Sequence, residues 1–234
     1  MEFTDLDKCM YPELAKEAVR LGLVGGYPDG TLRPQEPITR EQSWLIDLRQ
    51  MKFLQAAPDV PAMVQKYMPS IVRIWSRNDK GQTIVGSGSF VTPDKILTNA
   101  HVVGAYTEVE VDTQGGAIKG TVIKKDIGLD LALVQVKGKY TPLVIADKAI
   151  HGELCLVLGN PGGEWQSVTM GLVAHPDRGQ YIETDARINP GNSGGAVINM
   201  QGQLIGVPSH KITIEGFDNQ NYAIRVEVVR QWLG

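Results

Sequence analysis

The 234-residue chain carries 23 Lys and Arg against 26 Asp and Glu, a net charge of −3, with 42% hydrophobic and 21% charged residues. That balance leaves no footprint for nucleic acid or an acidic membrane surface, and it leaves room for a large β domain plus a small accessory one. No apolar run approaches the ~20 residues of a membrane span. The start, Met1-Glu2-Phe3-Thr4-Asp5, is acidic where a secretory signal would be basic and then apolar, so the chain as written is cytoplasmic unless a signal has been removed. Cys9 and Cys155 lie far apart in segments of different character and read as free thiols, with Cys155 buried in the apolar run Leu154 to Leu158. The cysteines and histidines show no metal-ligand spacing, so neither a metal nor a cofactor is expected.

From the N-terminus, Leu14, Ala15, Ala18 and Val19 recur at helical spacing between Tyr11 and Arg20, and Gly22 and Gly25-Gly26 end the pattern. Tyr27-Pro28-Asp29-Gly30 is a turn sequence, Thr39 offers an N-cap hydroxyl, and Trp44, Leu45, Leu48 and Met51 predict a second helix. Residues 55–67, with Pro58, Pro61 and the nearby Pro69, resist regular structure and read as a linker.

From Ser70 the pattern changes to short Val-, Ile- and Thr-rich strands between glycine turns. Strands are expected at 71–75, 83–91, 96–98, 107–112, 117–124, 131–136, 153–158, 167–173, 181–184, 196–198, 203–208 and 222–225. Many short strands without intervening amphipathic helices predict an antiparallel sandwich or barrel, closed by a helix over Val226 to Leu233.

The segment Gly26-Tyr27-Pro28-Asp29-Gly30-Thr31-Leu32-Arg33-Pro34, followed by Pro37-Ile38-Thr39-Arg40-Glu41, resembles the signature of a surface-layer homology (SLH) motif, with Phe3-Thr4-Asp5 as its opening. The resemblance covers residues 1–54 and implies a small helical domain that binds cell-wall polysaccharide, and with it a cell-wall or extracellular location. Tyr27, Asp29, Arg33 and Arg40 are its candidate ligand contacts. The plainer reading is a helical appendage that packs on the main domain or mediates self-association, which leaves a homo-oligomer open.

Three segments of the β region carry chemistry. Leu97-Thr98-Asn99-Ala100-His101-Val102-Val103 places a histidine just after a strand, Asp130-Leu131-Ala132-Leu133 starts a strand with a carboxylate, and Asn189-Pro190-Gly191-Asn192-Ser193-Gly194-Gly195 presents a hydroxyl on a tight turn. A serine hydroxyl is a weak nucleophile until a base takes its proton, and a histidine oriented by a carboxylate is such a base. Asp112 and Asp126 are rival carboxylates outside an Asp-Leu-Ala-Leu context, and His151, His175 and His210 read as surface or loop residues.

These segments, with Gly86-Ser87-Gly88-Ser89-Phe90-Val91 and Val157-Leu158-Gly159-Asn160-Pro161, resemble trypsin-like serine proteases of the HtrA (Deg) type over residues 68–234. The resemblance implies an all-β main domain of two six-stranded antiparallel β-barrels with the active site in the cleft between them. It implies a serine endopeptidase acting on proteins or peptides, with Ser193 as nucleophile, His101 as base and acid, and Asp130 orienting the imidazole. The oxyanion donors fall in Gly191, Asn192 and Ser193, the N–H groups of Gly191 and Ser193 being the natural pair.

It further implies that Arg187, six residues before the nucleophile, lies near the floor of the pocket for the side chain preceding the cleaved bond, assisted by Ser209 or His210. A guanidinium there suits an acidic side chain. Family habit favours a small aliphatic one, and Arg187 turned away would pair with Asp185 or Glu183. Such proteases usually carry a PDZ domain, and none precedes the end at Gly234. Two further readings stay open. One is a processing or self-cleaving protease acting on an assembly partner. The other is a cell-wall or protein-binding module on a protease scaffold.

Overall fold

The computed structural model describes residues 4–5, 8–9, 12–20, 24–37, 58–77, 81–209 and 221–234. The chain divides into two units, Met1–Asp59 and Val60–Gly234.

In the first unit a helix spans Pro12–Arg20. The expected second helix, with Trp44 to Met51, lies outside the described residues, as does Arg40. The turn after Tyr27 is held from within. The buried Asp5 carboxylate accepts the N–H groups of Leu32 and Arg33, both at 2.8 Å. The Arg33 guanidinium lies 4.2 Å from the Tyr27 ring centre and 2.7 Å from Asp29. Hydrogen bonding from the Thr31 hydroxyl first, and then from Arg33, holds the Asp29 carboxyl down to about 2. Three of the four candidate SLH ligand residues therefore shape their own turn.

The second unit opens with a helix over Val60–Tyr67, within the stretch expected to be irregular. Pro61 is its second residue, in the first turn, where a missing N–H breaks no intrahelical bond. Val60, Met63, Val64 and Tyr67 pack onto the core beside it.

Thirteen strands follow among the described residues. The first barrel comprises β1 (Ile71–Arg77), β2 (Thr83–Thr92), β3 (Lys95–Thr98), β4 (Glu108–Thr113), β5 (Gly116–Asp126) and β6 (Leu131–Val136), closed in the order β1-β2-β3-β6-β5-β4. The second comprises β8 (Leu154–Gly159), β9 (Ser167–Arg178), β10 (Tyr181–Thr184), β11 (Ala196–Asn199), β12 (Gln203–Pro208) and β13 (Asn221–Arg225), closed by a β11–β12 pairing. Both are antiparallel, as expected. The two-residue β7 (Val144–Ile145) adds parallel to β12 outside the second barrel. A helix over Val226–Leu233 ends the chain where the apolar spacing predicts it.

Alternation along the strands sends one set of side chains into each barrel. Val72, Ile74, Phe90, Ile96 and Val134 fill the first, and Val157, Val173, Ile182, Val197 and Ile205 the second. A third cluster, with Ile71, Leu97 and Leu131 from one barrel and Leu156, Leu158 and Ile198 from the other, joins them. Fully burying each such side chain contributes about 1.5–3 kcal/mol.

Candidate active site

The site is built where the two barrels meet. β3 and β6 run antiparallel with Thr98 opposite Ala132, so the residues just after β3 lie beside those just before β6. That register brings together His101, in a short helix over Ala100–Val103, and Asp130. Asp130 takes the left-handed backbone region, φ 54°, which an aspartate tolerates better than most residues. It is held there from both sides: its carbonyl accepts Ala100 N–H at 3.1 Å and Asn99 Nδ2 at 2.9 Å, and its Oδ1 accepts the His101 backbone N–H at 3.0 Å.

His101 Nδ1 lies 2.8 Å from Asp130 Oδ2 and 3.0 Å from Oδ1. A carboxylate can only accept, which assigns the ring proton to Nδ1 and leaves Nε2 as the acceptor. The hydroxyl of Ser209, expected in the substrate pocket, donates instead to Asp130 Oδ2 at 3.0 Å and so serves the carboxylate. Burial pushes the Asp130 carboxyl up, but the bonds and charge of His101 and the Ser209 hydroxyl outweigh it and hold the group below its ordinary value. The rival carboxylates are engaged elsewhere. Asp112 accepts from Arg73 and Trp75, and Asp126 accepts the Leu129 N–H.

Ser193 comes from the second barrel, on the loop before β11, and lines one cavity with His101, Gly191 and Pro190. Its loop is tied to the first barrel by Ser87, whose N–H donates to Ser193 O at 2.8 Å and whose Oγ donates to Gly191 O at 2.7 Å. The approach is close enough to demand glycine. A Cβ on Gly194, at φ 83°, would overlap Thr98 Oγ1 and the Ser87 carbonyl.

The peptides of this loop have a defined sense. Pro190 O accepts Gly162 N–H at 2.8 Å and Asn192 O accepts Gly195 N–H at 2.9 Å. In a trans peptide the N–H points opposite to the C=O, so the N–H groups of Gly191 and Ser193 face away from those partners. The Asn192 N–H, expected among the oxyanion donors, is engaged by Asn189 O at 2.9 Å.

Behind the loop stands a cluster that the linear sequence does not reveal. Arg73 Nη1 donates to Gly163 O at 2.7 Å, its other nitrogens bond Asp112, and its guanidinium lies 4.8 Å from the Trp75 ring and 5.3 Å from the Trp165 ring. Asn160 donates through both its N–H and its Nδ2 to Ser87 Oγ. The turn that holds the Pro190 carbonyl is thus anchored on the first barrel.

Arg187 is exposed and outside this cavity. Its expected alternative partners are both engaged, Glu183 with Arg178 at 3.0 Å and Asp185 with the Leu172 N–H at 2.7 Å. His210 lies outside the described residues. Among the described residues no three His, Cys, Asp or Glu side chains gather to hold a metal, and no helix is long and apolar enough to cross a membrane.

Cys155 is buried beside Thr184 Oγ1 at 3.3 Å, and burial pushes its thiol up to about 11. Iodoacetamide at about pH 8 is therefore expected to leave Cys155 unmodified in the folded protein and to label it after denaturation, as read by peptide mass spectrometry. Labelling of the native protein at this residue would contradict its burial.

Residues 86–207, more than half of the chain, match the family model for the trypsin-like peptidase domain. The chain belongs to the trypsin-like peptidase family. Residues 2–42 match the S-layer homology domain. Among trypsin-like relatives, human serine protease HTRA4 is 35% identical, over 74% of this chain and 40% of that protein. A probable periplasmic DegP-like serine endoprotease of Ectopseudomonas mendocina is 33% identical over the same shares. The chain thus spans about 40% of the length of these curated relatives. Of solved structures, the serine endoprotease from Yersinia pestis superposes with a TM-score of 0.65 at 29% identity, covering 72% of this chain and 63% of that one. The Rv3671c protease from M. tuberculosis in its active form gives 0.66 at 27% identity, covering 76% and 87%.

Proposed function

We propose that this trypsin-like chain is a serine endopeptidase of the HtrA type that cleaves peptide bonds through an acyl-enzyme on Ser193. The observation that carries the reading is the His101–Asp130 pair at 2.8 Å opening, with Ser193, onto one cavity. In this reading His101 Nε2 takes the Ser193 proton as Oγ attacks the scissile carbonyl, and returns it to the leaving amine. Asp130, steadied by Ser209, keeps the imidazole in the reactive tautomer and stabilises the imidazolium. The N–H groups of Gly191 and Ser193 receive the oxyanion. The acyl-side preference is to be tested at Arg187, where Arg187→Ala should weaken cleavage after acidic residues if the guanidinium faces the substrate.

The domain assignment is part of the proposal: residues 1–54 as a small helical SLH domain and 68–234 as the protease. The S-layer homology match supports a cell-surface location and cell-wall polysaccharide as a partner of the first unit. Labelling with a fluorophosphonate probe, mapped by mass spectrometry, tests the enzymatic reading. Modification at Ser193 that is lost in Ser193→Ala is expected, and absence of labelling in the folded wild type would remove the activated serine.

A further inference from the structure

The cavity of about 310 Å³ at the reacting groups has a lining that the proposed chemistry does not use. Ile84 and Val85 of β2, Val102 beside His101, and Pro190 form it, together with Gly191, His101 and Ser193. Apart from the imidazole, no ionisable side chain is among them. Ile84 and Val85 both line the cavity and stand half-buried next to the exposed Thr83, Val85 on the face of β2 that meets Gly163 and Ile84 on the opposite face, that of Gly86 beside Val102.

Resting on the peptidase reading, we infer that this cavity receives the residue that follows the scissile bond and selects a branched or long aliphatic side chain there. Nδ1 of His101 is committed to Asp130, so protons pass only through Nε2. The leaving nitrogen must take its proton from Nε2 and therefore stands against it. The leaving residue's Cα is one bond further and its side chain two, which puts that side chain in the space bounded by His101, Ser193 and the apolar wall. The groups expected on the acyl side are elsewhere: Arg187 is exposed outside the cavity and the Ser209 hydroxyl is turned to Asp130. A carboxylate entering an apolar space without a counter-ion loses hydration for nothing, whereas an aliphatic side chain gains by burial.

Acyl transfer reads this site separately from acylation. N-acetyl-valine p-nitrophenyl ester acylates Ser193, and added amino-acid amides compete with water for the ester. The amine nitrogen bonds the acyl carbon as the carbon–Oγ bond breaks. The amine proton passes to His101 Nε2 and on to Ser193 Oγ. Peptide products from leucinamide, valinamide, glycinamide, aspartamide and argininamide are quantified, with the rate in Ser193→Ala protein subtracted.

Leucinamide and valinamide are expected to capture the acyl group about 10-fold or more better than glycinamide, with aspartamide the poorest. Ile84→Asp should invert the order in favour of argininamide. Val85→Thr, which keeps the shape, should narrow the leucinamide advantage. A p-nitrophenolate burst with equal capture of all amides would overturn the inference and leave the peptidase reading standing. No p-nitrophenolate release from the folded wild type above the Ser193→Ala rate would overturn both.

Discussion

Ser193→Ala is expected to lower kcat on a peptide substrate by about 10⁵- to 10⁶-fold, while the folded state survives. The hydroxyl is the only group removed, and the bonds that place the loop run through its backbone groups: Ser193 O to Ser87, Gly194 N–H to Pro208 O and Gly195 N–H to Asn192 O. The remaining activity would come from binding and oxyanion donors, which persist without the nucleophile. Asp130→Asn is the more discriminating partner experiment. The amide can donate where the carboxylate only accepts, so Nδ1 is driven to accept and the ring proton moves to Nε2, the wrong tautomer for a base. A loss of about 10⁴-fold is expected. Because the carbonyl of residue 130 still accepts Ala100 N–H and Asn99 Nδ2, the site should keep its shape. Full activity in the Asn variant would show that His101 is oriented by something other than this carboxylate.

How much of this was legible beforehand depended on whether the signal was local. Strand pattern was: Leu131–Val136, Tyr181–Thr184 and Gln203–Pro208 begin and end where alternation and turn residues place them. β9 was underestimated, because it runs through Pro176 to Arg178 in a stretch whose ladder with β10 is irregular, so a proline there interrupts less than it would in a regular ladder. β7 has two residues and no pattern to read. The helix over Val60–Tyr67 was hidden by prolines that argue against a helix interior but not against its first turn.

At the site, His101, Asp130 and Ser193 announce themselves through the motifs around each. The residues that support them do not. Ser209 meets Asp130 across 79 positions, and Arg73 meets Asp112 only because β1 and β4 pair in a register that sets them opposite each other. Register between distant strands is decided by the closing of the whole barrel, and no short window of sequence contains it.

The loop proposed to receive the oxyanion gives the second large effect. Gly191 has φ 100°, and a Cβ there would overlap Asn160 O and come within 2.7 Å of Gly162 N. Gly191→Ala therefore pushes apart the Gly162–Pro190 hydrogen bond that fixes the sense of the 190–191 peptide. If that peptide turns, one of the two proposed oxyanion donors is lost. The expected cost is about 10²- to 10³-fold in kcat with KM little changed, since the donor is needed for charge that develops only in the transition state. Arg73→Gln, which releases the Gly163 carbonyl but leaves every glycine in place, should produce a smaller loss in the same direction. A peptide aldehyde separates this effect from general damage. Its adduct with Ser193 carries the oxyanion, so its affinity should fall in step with kcat/KM across the two variants, while the affinity of an uncleaved product peptide should not. Parallel weakening of both ligands would mean that the loop shapes the substrate groove and not the charge-stabilising donors.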